Sequence, residues 1–416
     1  MAYILGEEIM EEPKPRDFIP EEYKFAHEYC FFLHDILANI VISGEQEEIF
    51  HHSFKIKTLE DAEQIKSKSG EELASWMEQN GYRQEFQEAN RRHIFIALLS
   101  DFCQFVYEAL NCSRKGKLTV TYALLRKPLK ENLFYLEWLL ADSPDFINLF
   151  HSPILSKDKR PLPLPTELSK EKRLEIIGKS IKDSGFENYW ISPDFLYELR
   201  YDKKVKYGFE GLFQRATHLI TTIAAQTEEQ NFNFIFSGEE EKISQWQGLY
   251  TILPLILLHT VFVAQTFVEE IDEGKLKDLE FLRLRAMIGF LLYGKGREWD
   301  VDFKLVMENL INSFSELKHL CLGCHETIDV DFETLELIYD EGVLACKRCG
   351  YKTYLTSRKE LLFTGHLMQG KINCPNCNAI VLANEENIKS AMLEMKVICQ
   401  ECKEEIEFVE GDNSPS

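Results

Sequence analysis

Basic residues are scarce in this chain relative to acidic ones. Among its 416 residues, 47 lysines and arginines stand against 69 aspartates and glutamates, so the formal net charge at pH 7 is -22. A surface with such an excess of negative charge repels phosphate groups. Non-specific binding to nucleic acid is therefore disfavoured for the whole protein, although a local basic patch can still bind it.

Short catalytic signatures are also missing. The sequence has no glycine-rich phosphate loop, no His-Glu-x-x-His pair and no nucleophile elbow. The first residues, MAYILGEEIMEEPKP, lack the basic start and the apolar run of a secretory signal. We therefore expect a cytoplasmic protein. In that reducing compartment, paired cysteines bind metals or undergo redox chemistry more often than they form disulfides.

Charge is absent from one long segment, residues 243–268. Its length is sufficient to cross a bilayer. Pro254, His259, Gln265 and several threonines interrupt it, and acidic residues follow it directly, where a membrane span more often has basic flanks. We expect a core helix that is buried by surrounding amphipathic helices. A membrane span remains the alternative.

Eight of the eleven cysteines form a duplicated pattern. Two Cys-x-x-Cys pairs are separated by 21 residues, and the whole arrangement recurs 53 residues later; the two sets are Cys321, Cys324, Cys346 and Cys349, then Cys374, Cys377, Cys399 and Cys402. The sequence between the pairs does not repeat. Because only the cysteine spacing is held, the sulfur atoms are the expected reason for the duplication.

Four thiolates at this spacing suit a tetrahedral Zn²⁺ ion. Each Cys-x-x-Cys turn brings two sulfurs to one metal, and a hairpin brings two such turns together. The pattern resembles a zinc ribbon, and Gly350 supplies the positive φ that such a turn often needs. We predict two Zn²⁺ ions per chain. Disulfides, a redox dithiol and a four-sulfur iron site are the alternatives.

The ribbons are expected to be structural or recognition modules, because sulfur fills every metal position and leaves none for a catalytic water. Residues 321–350 carry seven acids and two bases, and residues 374–416 carry nine acids and three bases. These acidic surfaces favour a protein partner over phosphate.

Residues before the cysteines have helical periodicity, with apolar positions three and four apart in 91–110 and 121–142. The helical pattern continues through 211–226 and 303–320, whereas KTYLT and EIEFVE alternate as strands do. We predict a mainly α protein with a bundle-like helical body and two small β modules. The predicted parts are an acidic arm (1–20), a helical domain (21–318) with a proline-rich loop (152–166), a first ribbon (319–355), and a spacer, second ribbon and acidic tail (356–416).

Two groups of basic residues stand out in the helical domain. They are either solvated helix ends or a groove that binds an anion or RNA. The two groups comprise Arg114, Lys115, Lys117, Arg126, Lys127 and Lys130, then Arg200, Lys203, Lys204 and Lys206.

The segments ALLRKPLKENLFYLEWLLAD and YGFEGLFQRATHLI, followed by a long apolar helix, resemble a family of uncharacterised bacterial helical proteins. In that family an Arg–Glu helix faces a later His helix, and its outline is similar to that of the HEPN domains, many of which cut RNA. The resemblance covers roughly residues 90–270 and singles out Arg126, Glu131 and His218. HEPN nucleases place a histidine four to six residues after an arginine, whereas Arg215 and His218 here are closer together. These two residues share a helix face and could act in proton transfer.

The sequence thus favours a cytoplasmic zinc-binding protein that acts through interaction, with a role in bacterial stress response or phage defence. An RNA-cleaving effector of HEPN type is the first alternative, with Arg126, Glu131, Arg215 and His218 as its candidate residues. A membrane-associated protein is the second.

Overall fold

The computed structural model describes residues 17–150, 163–189, 191–205, 208–218, 220–222, 230–232, 238–272, 274–276, 279–295, 319–321, 323–354, 372–382, 384, 387, 390–391 and 396–407. The chain forms two compact units, one up to Ile271 and one from Asp272 onward. The predicted mainly α architecture is confirmed.

The first unit is built from helices. They are α1 (Glu21–Gln46), α2 (Leu59–Ser67), α3 (Gly70–Gln79), α4 (Arg83–Arg114), α5 (Leu118–Lys127), α6 (Leu133–Ala141), α7 (Ser143–Phe150), α8 (Lys170–Asp183), α9 (Pro193–Tyr201), α10 (Phe209–Thr217) and α11 (Glu239–Ile271). A π-helical turn (Pro128–Asn132) joins α5 to α6, and short 3₁₀ turns occupy Pro165–Glu167 and Phe186–Tyr189. Strands β1 (Ile220–Thr222) and β2 (Gln230–Phe232) form an antiparallel hairpin.

Helix starts follow local chemistry in this unit. The Thr58, Ser169 and Ser192 side chains each accept a hydrogen bond from a backbone N–H of the first turn, which caps α2, α8 and α9. Pro128, which has no backbone N–H to donate, begins the π-helical turn.

The core of the first unit lies along α11. This helix packs against α1, α5, α6 and α8, and α1 also packs against α4. The most apolar 18-residue stretch of α11 is 89% buried. Among the described residues, three helices are long and apolar enough to cross a membrane, namely Glu21–Gln46, Arg83–Arg114 and Glu240–Ile271. A membrane location stays a prediction.

One helical prediction in this unit is wrong. The pattern over 211–226 indicated a continuous helix, but α10 ends at Thr217 and β1 follows from Ile220. The sequence Ile-Thr-Thr-Ile is β-branched throughout, which favours an extended backbone over a helix.

The second unit contains helix α12 (Leu279–Gly294), helix α13 (Phe332–Glu341) and short antiparallel strand pairs. The strands are β3 (His319–Leu320), β4 (Thr327–Ile328), β5 (Val343–Ala345), β6 (Lys352–Tyr354), β7 (Lys396–Ile398) and β8 (Glu405–Glu407). Residues 319–354 and 372–407 are hereafter ribbon 1 and ribbon 2. The strands predicted in KTYLT and EIEFVE are confirmed as β6 and β8.

Helix α12 packs against α13 of ribbon 1. The Arg285 side chain donates hydrogen bonds to the carbonyl of Tyr339, and Lys295 pairs with Glu336 at 3.0 Å. The two units thus divide after Ile271, before α12, whereas the sequence placed the division at 318. Residues 296–318, which include that boundary and most of the helix predicted over 303–320, lie outside the described residues. So do the arm predicted at 1–20, except its last four residues, and most of the predicted proline-rich loop.

Candidate metal centres

The four cysteines of ribbon 1 converge on one point. All four sulfur atoms lie within 4.8 Å of one another. The Cys321 and Cys349 sulfurs are 3.4 Å apart, and those of Cys324 and Cys346 are 3.7 Å apart. The residues therefore form a compact four-sulfur cluster that could hold a metal ion.

The sulfur separations argue against disulfides, one of the alternatives that the cysteine spacing left open. A disulfide bond needs about 2.05 Å between sulfurs, and all eleven cysteines are free thiols. Four sulfurs placed tetrahedrally at about 2.3 Å from a Zn²⁺ ion stand about 3.8 Å apart. The observed 3.4 and 3.7 Å are close to that separation. The cluster fits a tetrahedral metal ion and not a pair of disulfides.

Backbone hydrogen bonds shape both Cys-x-x-Cys turns of ribbon 1. The N–H of His325 donates to the Cys321 carbonyl, and that of Gly350 donates to the Cys346 carbonyl. His325 and Gly350 both have positive φ, as expected for Gly350. Hydrogen bonds from the backbone N–H groups of Cys349 and Arg348 lower the pKa of Cys346 to about 7. The thiolate of Cys346, the form that binds a metal, is therefore accessible near neutral pH, whereas burial raises the pKa of Cys321 and of Cys324.

Ribbon 2 repeats this geometry at an offset of 53 residues. The Cys374–Cys402 and Cys377–Cys399 sulfur distances are 3.4 and 3.6 Å. Positive φ recurs at Asn378 and Lys403, the counterparts of His325 and Gly350. Backbone N–H groups of Cys402 and Glu401 lower the pKa of Cys399 to about 7, as in ribbon 1. The second cluster could therefore hold a metal ion in the same way.

The duplication extends beyond the cysteines, which sequence comparison of the two segments did not reveal. Asp331 and Asn384, 53 residues apart, each accept a hydrogen bond from the backbone N–H three residues later. Thr334 and Asn387, also 53 apart, are both buried and both donate to a carbonyl five residues earlier. These pairs preserve hydrogen-bonding function but not residue identity, so only the aligned cysteines could have drawn attention to them.

The candidate residues of the helical unit occupy its outer layer. Arg126 is exposed in the last turn of α5, and Glu131 is half-buried in the π-helical turn. Arg215 and His218 are exposed at the end of α10. Helices α5 and α10 pack together, and burial raises the pKa of Tyr122 on α5 although the charge of Arg215 acts in the opposite direction. The structure thus brings the helices of Arg126 and Arg215 together; a catalytic role for the four residues stays a prediction.

Two residues assigned to the basic groups are in the core. Lys130 is 5% exposed, and its ammonium pairs with Glu210 at 2.5 Å. Arg200 is fully buried. Neither can belong to a basic surface, because each charge is enclosed and neutralised by a carboxylate. Of the others, Lys115, Lys117, Lys203 and Lys204 are exposed, Arg114 is half-buried, Lys127 pairs with Asp101, and Lys206 lies outside the described residues.

A buried polar cluster joins three helices of this unit. The Glu137 carboxylate of α6 accepts two hydrogen bonds of 2.9 Å from Nη2 of Arg200 on α9. Nε2 of His259 on α11 lies 2.8 Å from Oε1 of Glu137. All three side chains are fully buried. Burial lowers the pKa of His259 despite the nearby carboxylate, so the ring is neutral at pH 7 and can donate from Nε2.

Sequence reasoning missed this cluster, although one signal was available. His259 stands in the uncharged segment 243–268, and a polar residue on a buried helix needs a partner. The sequence could not show which residues are the partners of His259, because Glu137 and Arg200 lie 122 and 59 positions away from it. The family resemblance singled out Arg126, Glu131 and His218, and none of these three belongs to this cluster.

The helical unit also has a surface cleft of about 550 Å³. Its polar lining includes Gln87, Arg91, Ser143 and Lys179. Of the described residues, neither the four catalytic candidates nor the buried cluster line it. The cleft therefore does not unite the residues that the sequence singled out.

Comparison with known proteins adds no relative: no protein family model matches the chain, and no curated protein or solved structure does. The likeness to HEPN-type proteins therefore rests on the sequence segments alone.

Proposed function

We propose that this is a zinc-binding protein in which two structural Zn²⁺ ions hold ribbons that recognise a partner protein. The observation that carries the proposal is the convergence of four sulfurs in each ribbon. Sulfur is the preferred ligand of structural zinc, and a four-thiolate shell has no open position for a substrate. Such a site therefore supports a recognition role better than it supports a catalytic role.

Charge supports a protein partner. Each four-thiolate zinc site carries a net charge of about -2, which adds to the acidic surface of ribbons that already hold more acids than bases. Phosphate backbones are repelled by such a surface, whereas basic segments of proteins are attracted. The RNA-cleaving alternative is weakened because Lys130 and Arg200 are removed from the basic surface. A cytoplasmic location and a part in stress response or defence are further predictions of the sequence.

The metal content of purified protein tests the proposal. We expect two zinc ions per chain by elemental analysis of the recombinant protein. Cys346→Ser and Cys399→Ser each remove one ligand of one cluster, so each variant should retain about one zinc. Cys112→Ser is the matched control, because Cys112 lies in α4, outside both clusters, and its loss should leave two zinc ions.

Two results would contradict the proposal. One is a zinc content well below one ion per chain in protein purified without chelators. The other is a visible absorption band with stoichiometric iron, since a four-sulfur site also accepts that metal. Retention of two zinc ions by either ligand variant would exclude the assignment of that cluster.

A further inference from the structure

At three positions with matching backbone, the two ribbons carry side chains of different chemistry. Ile380, Leu382 and Ile398 of ribbon 2 are 58%, 59% and 39% exposed. At the offset of 53 residues, ribbon 1 has Thr327, Asp329 and Ala345 in their places. Backbone pairing is the same at two of these positions. Asn373 pairs with Ile380 in ribbon 2, as Leu320 pairs with Thr327 in ribbon 1. Ile398 pairs with Glu405 in ribbon 2, as Ala345 pairs with Lys352 in ribbon 1. The ribbon fold therefore does not require the aliphatic side chains of ribbon 2.

These side chains point away from the core of ribbon 2. Val381 and Val397 are buried in that core together with the cysteines. Side chains alternate along an extended chain, so the neighbours Ile380, Leu382 and Ile398 lie on the opposite side. Three exposed aliphatic side chains in a module this small are unfavourable in water unless another surface covers them.

The backbone beneath the three residues is fixed in place. Asn387 is 2% exposed, and its Nδ2 donates to the carbonyls of both Leu382 and Ile398 at 3.0 Å. Its Oδ1 accepts from the N–H of Ile398 at 2.8 Å, and Gln400 Oε1 accepts from that of Leu382 at 2.9 Å. Leu382 and Ile398 are thus held side by side. Because this backbone is already ordered, binding of a partner here loses little free energy to ordering of the ribbon.

The charge around this face identifies the chemistry of the partner. Residues 374–416 carry nine acids and three lysines. Glu401 and Glu404 are exposed beside the second cysteine pair, whereas Glu405 pairs with Lys396 at 2.6 Å. An aliphatic contact on a module with an excess of acids suits a segment that combines aliphatic and basic side chains. A second copy of this chain, with a net charge of -22, is repelled, and so is nucleic acid.

We propose that Ile380, Leu382 and Ile398 form a docking face for a partner-protein segment rich in lysine or arginine that contributes aliphatic side chains. The inference rests on the proposed function, because the metal site holds the two halves of ribbon 2 together. Recognition is thereby assigned to ribbon 2. Ribbon 1 packs against α12 and is attached to that helix of its unit.

The test is selection of peptides from a displayed library of random 12-residue sequences on the zinc-loaded full-length protein. We expect enrichment of peptides with several Lys or Arg residues and two or more Leu, Ile or Val residues. Synthetic versions should then bind in solution. The triple variant Ile380→Thr, Leu382→Asn, Ile398→Ala places ribbon 1-like side chains on ribbon 2 without a charge change, and it should weaken binding at least tenfold.

The matched control makes the same three kinds of substitution in the helical unit. Ile42→Thr, Leu59→Asn and Ile56→Ala also replace aliphatic residues that are 57%, 87% and 43% exposed, and they should change peptide affinity less than twofold. Zinc content distinguishes the two proposals. A wild-type protein without zinc refutes the proposed function, whereas a protein with two zinc ions that selects no such peptide refutes only the docking face.

Other outcomes also overturn the docking face. Equal binding by the wild type and the triple variant would show that the aliphatic residues are not the site. A selected consensus without basic residues would contradict the charge argument. Self-association that the triple variant abolishes, measured by sedimentation, would identify a second copy of the chain as the occupant.

Discussion

At the scale of single residues, the helical unit depends on polar side chains enclosed in its core. Glu137 holds Arg200 and His259, and all three are fully buried. A charge in such a place is tolerated only while its partner remains, because neither side chain can reach water. These residues therefore determine how α6, α9 and α11 fit together.

Removal of the Glu137 carboxylate tests this dependence. Glu137→Gln leaves the Arg200 charge buried without a counter-ion, and we expect a loss of roughly 3–5 kcal/mol in the free energy of unfolding, measured by urea denaturation. Glu21→Gln, which breaks the exposed pair with Lys24, is the control and should cost less than about 1 kcal/mol. The combination Glu137→Leu, Arg200→Met, His259→Leu should be milder than Glu137→Gln alone. Equal losses for Glu137→Gln and Glu21→Gln would contradict the account.

His27 makes the same unit sensitive to acid. Its Nδ1 lies 2.7 Å from the Tyr250 hydroxyl, which also contacts Ser113, and Trp246 donates to Ser113. Burial lowers the pKa of His27 to about 4, although Asp17 acts in the opposite direction. Above pH 6.5 the ring is neutral in both folded and unfolded chains. Between pH 6.5 and 4 only the unfolded chain takes up this proton, so stability falls as the pH falls.

The predicted contribution of His27 is up to about 1.4 kcal/mol per pH unit, or roughly 3 kcal/mol in total. Urea unfolding at pH 7, 6 and 5 should therefore show a shallower decline for His27→Gln than for the wild type. His51→Gln, at an exposed histidine, should keep the wild-type slope. Parallel slopes for the wild type and His27→Gln between pH 6 and 5 would show that His27 is not the acid-sensitive group.

At the scale of the elements, each ribbon contains two cysteine turns. Two strand pairs hold the turns of ribbon 1, and one strand pair and the Asn373–Ile380 bridge hold those of ribbon 2. The turn after each second pair needs a residue with positive φ, which is Gly350 in ribbon 1 (φ 74°) and Lys403 in ribbon 2 (φ 64°). Only glycine adopts this conformation without steric cost. At this turn, ribbon 2 therefore carries backbone strain that ribbon 1 avoids, whereas the turn after the first pair has a non-glycine residue with positive φ in both ribbons, His325 and Asn378.

Lys403→Gly should relieve that strain and stabilise metal-bound ribbon 2 by roughly 0.5–1 kcal/mol. The measurement is competition for zinc with a chromogenic chelator in a Cys346→Ser background, where ribbon 2 alone binds metal. Lys403→Ala removes the same charge but keeps a Cβ atom, so it separates the backbone effect from the charge effect. Tighter zinc binding by the alanine variant than by the glycine variant would contradict the backbone explanation.

At the scale of the whole molecule, the two units depend on different forces. Among the described residues of ribbon 2, the buried apolar cluster consists of Val381, Ala391 and Val397 with two cysteines, and a few half-buried neighbours pack against it. The helical unit has a far larger core around α11, and its described residues include no cysteine cluster. Metal binding contributes on the order of 10–16 kcal/mol to small zinc modules, more than such a cluster can replace.

Removal of metal should therefore unfold the ribbons and spare the helices. With excess chelator, we expect fast hydrogen exchange in 319–354 and 372–407, and unchanged protection in α1, α4 and α11. Re-addition of zinc should restore the protected amides. Loss of protection in α11 together with the ribbons would mean that the helical unit also needs the metal, contrary to this prediction.

The sequence by itself determined the features that depend on short separations. Cysteine spacing identified both four-sulfur clusters, Gly350 indicated a positive φ, and apolar periodicity located the long helices, because each signal lies within one element or one hairpin. The β-branched residues after α10 were wrongly predicted to be helical, because their apolar spacing was given more weight than their preference for an extended backbone.

Only the tertiary structure decided which distant residues meet. Glu137 contacts a histidine 122 positions away and an arginine 63 positions away, and Lys130 meets Glu210 across 80 positions. Whether a lysine or arginine belongs to a surface or a core is set by packing among helices, which no local pattern records. The aliphatic face of ribbon 2 likewise emerged only when equal backbone positions could be compared, because burial is a property of the folded chain.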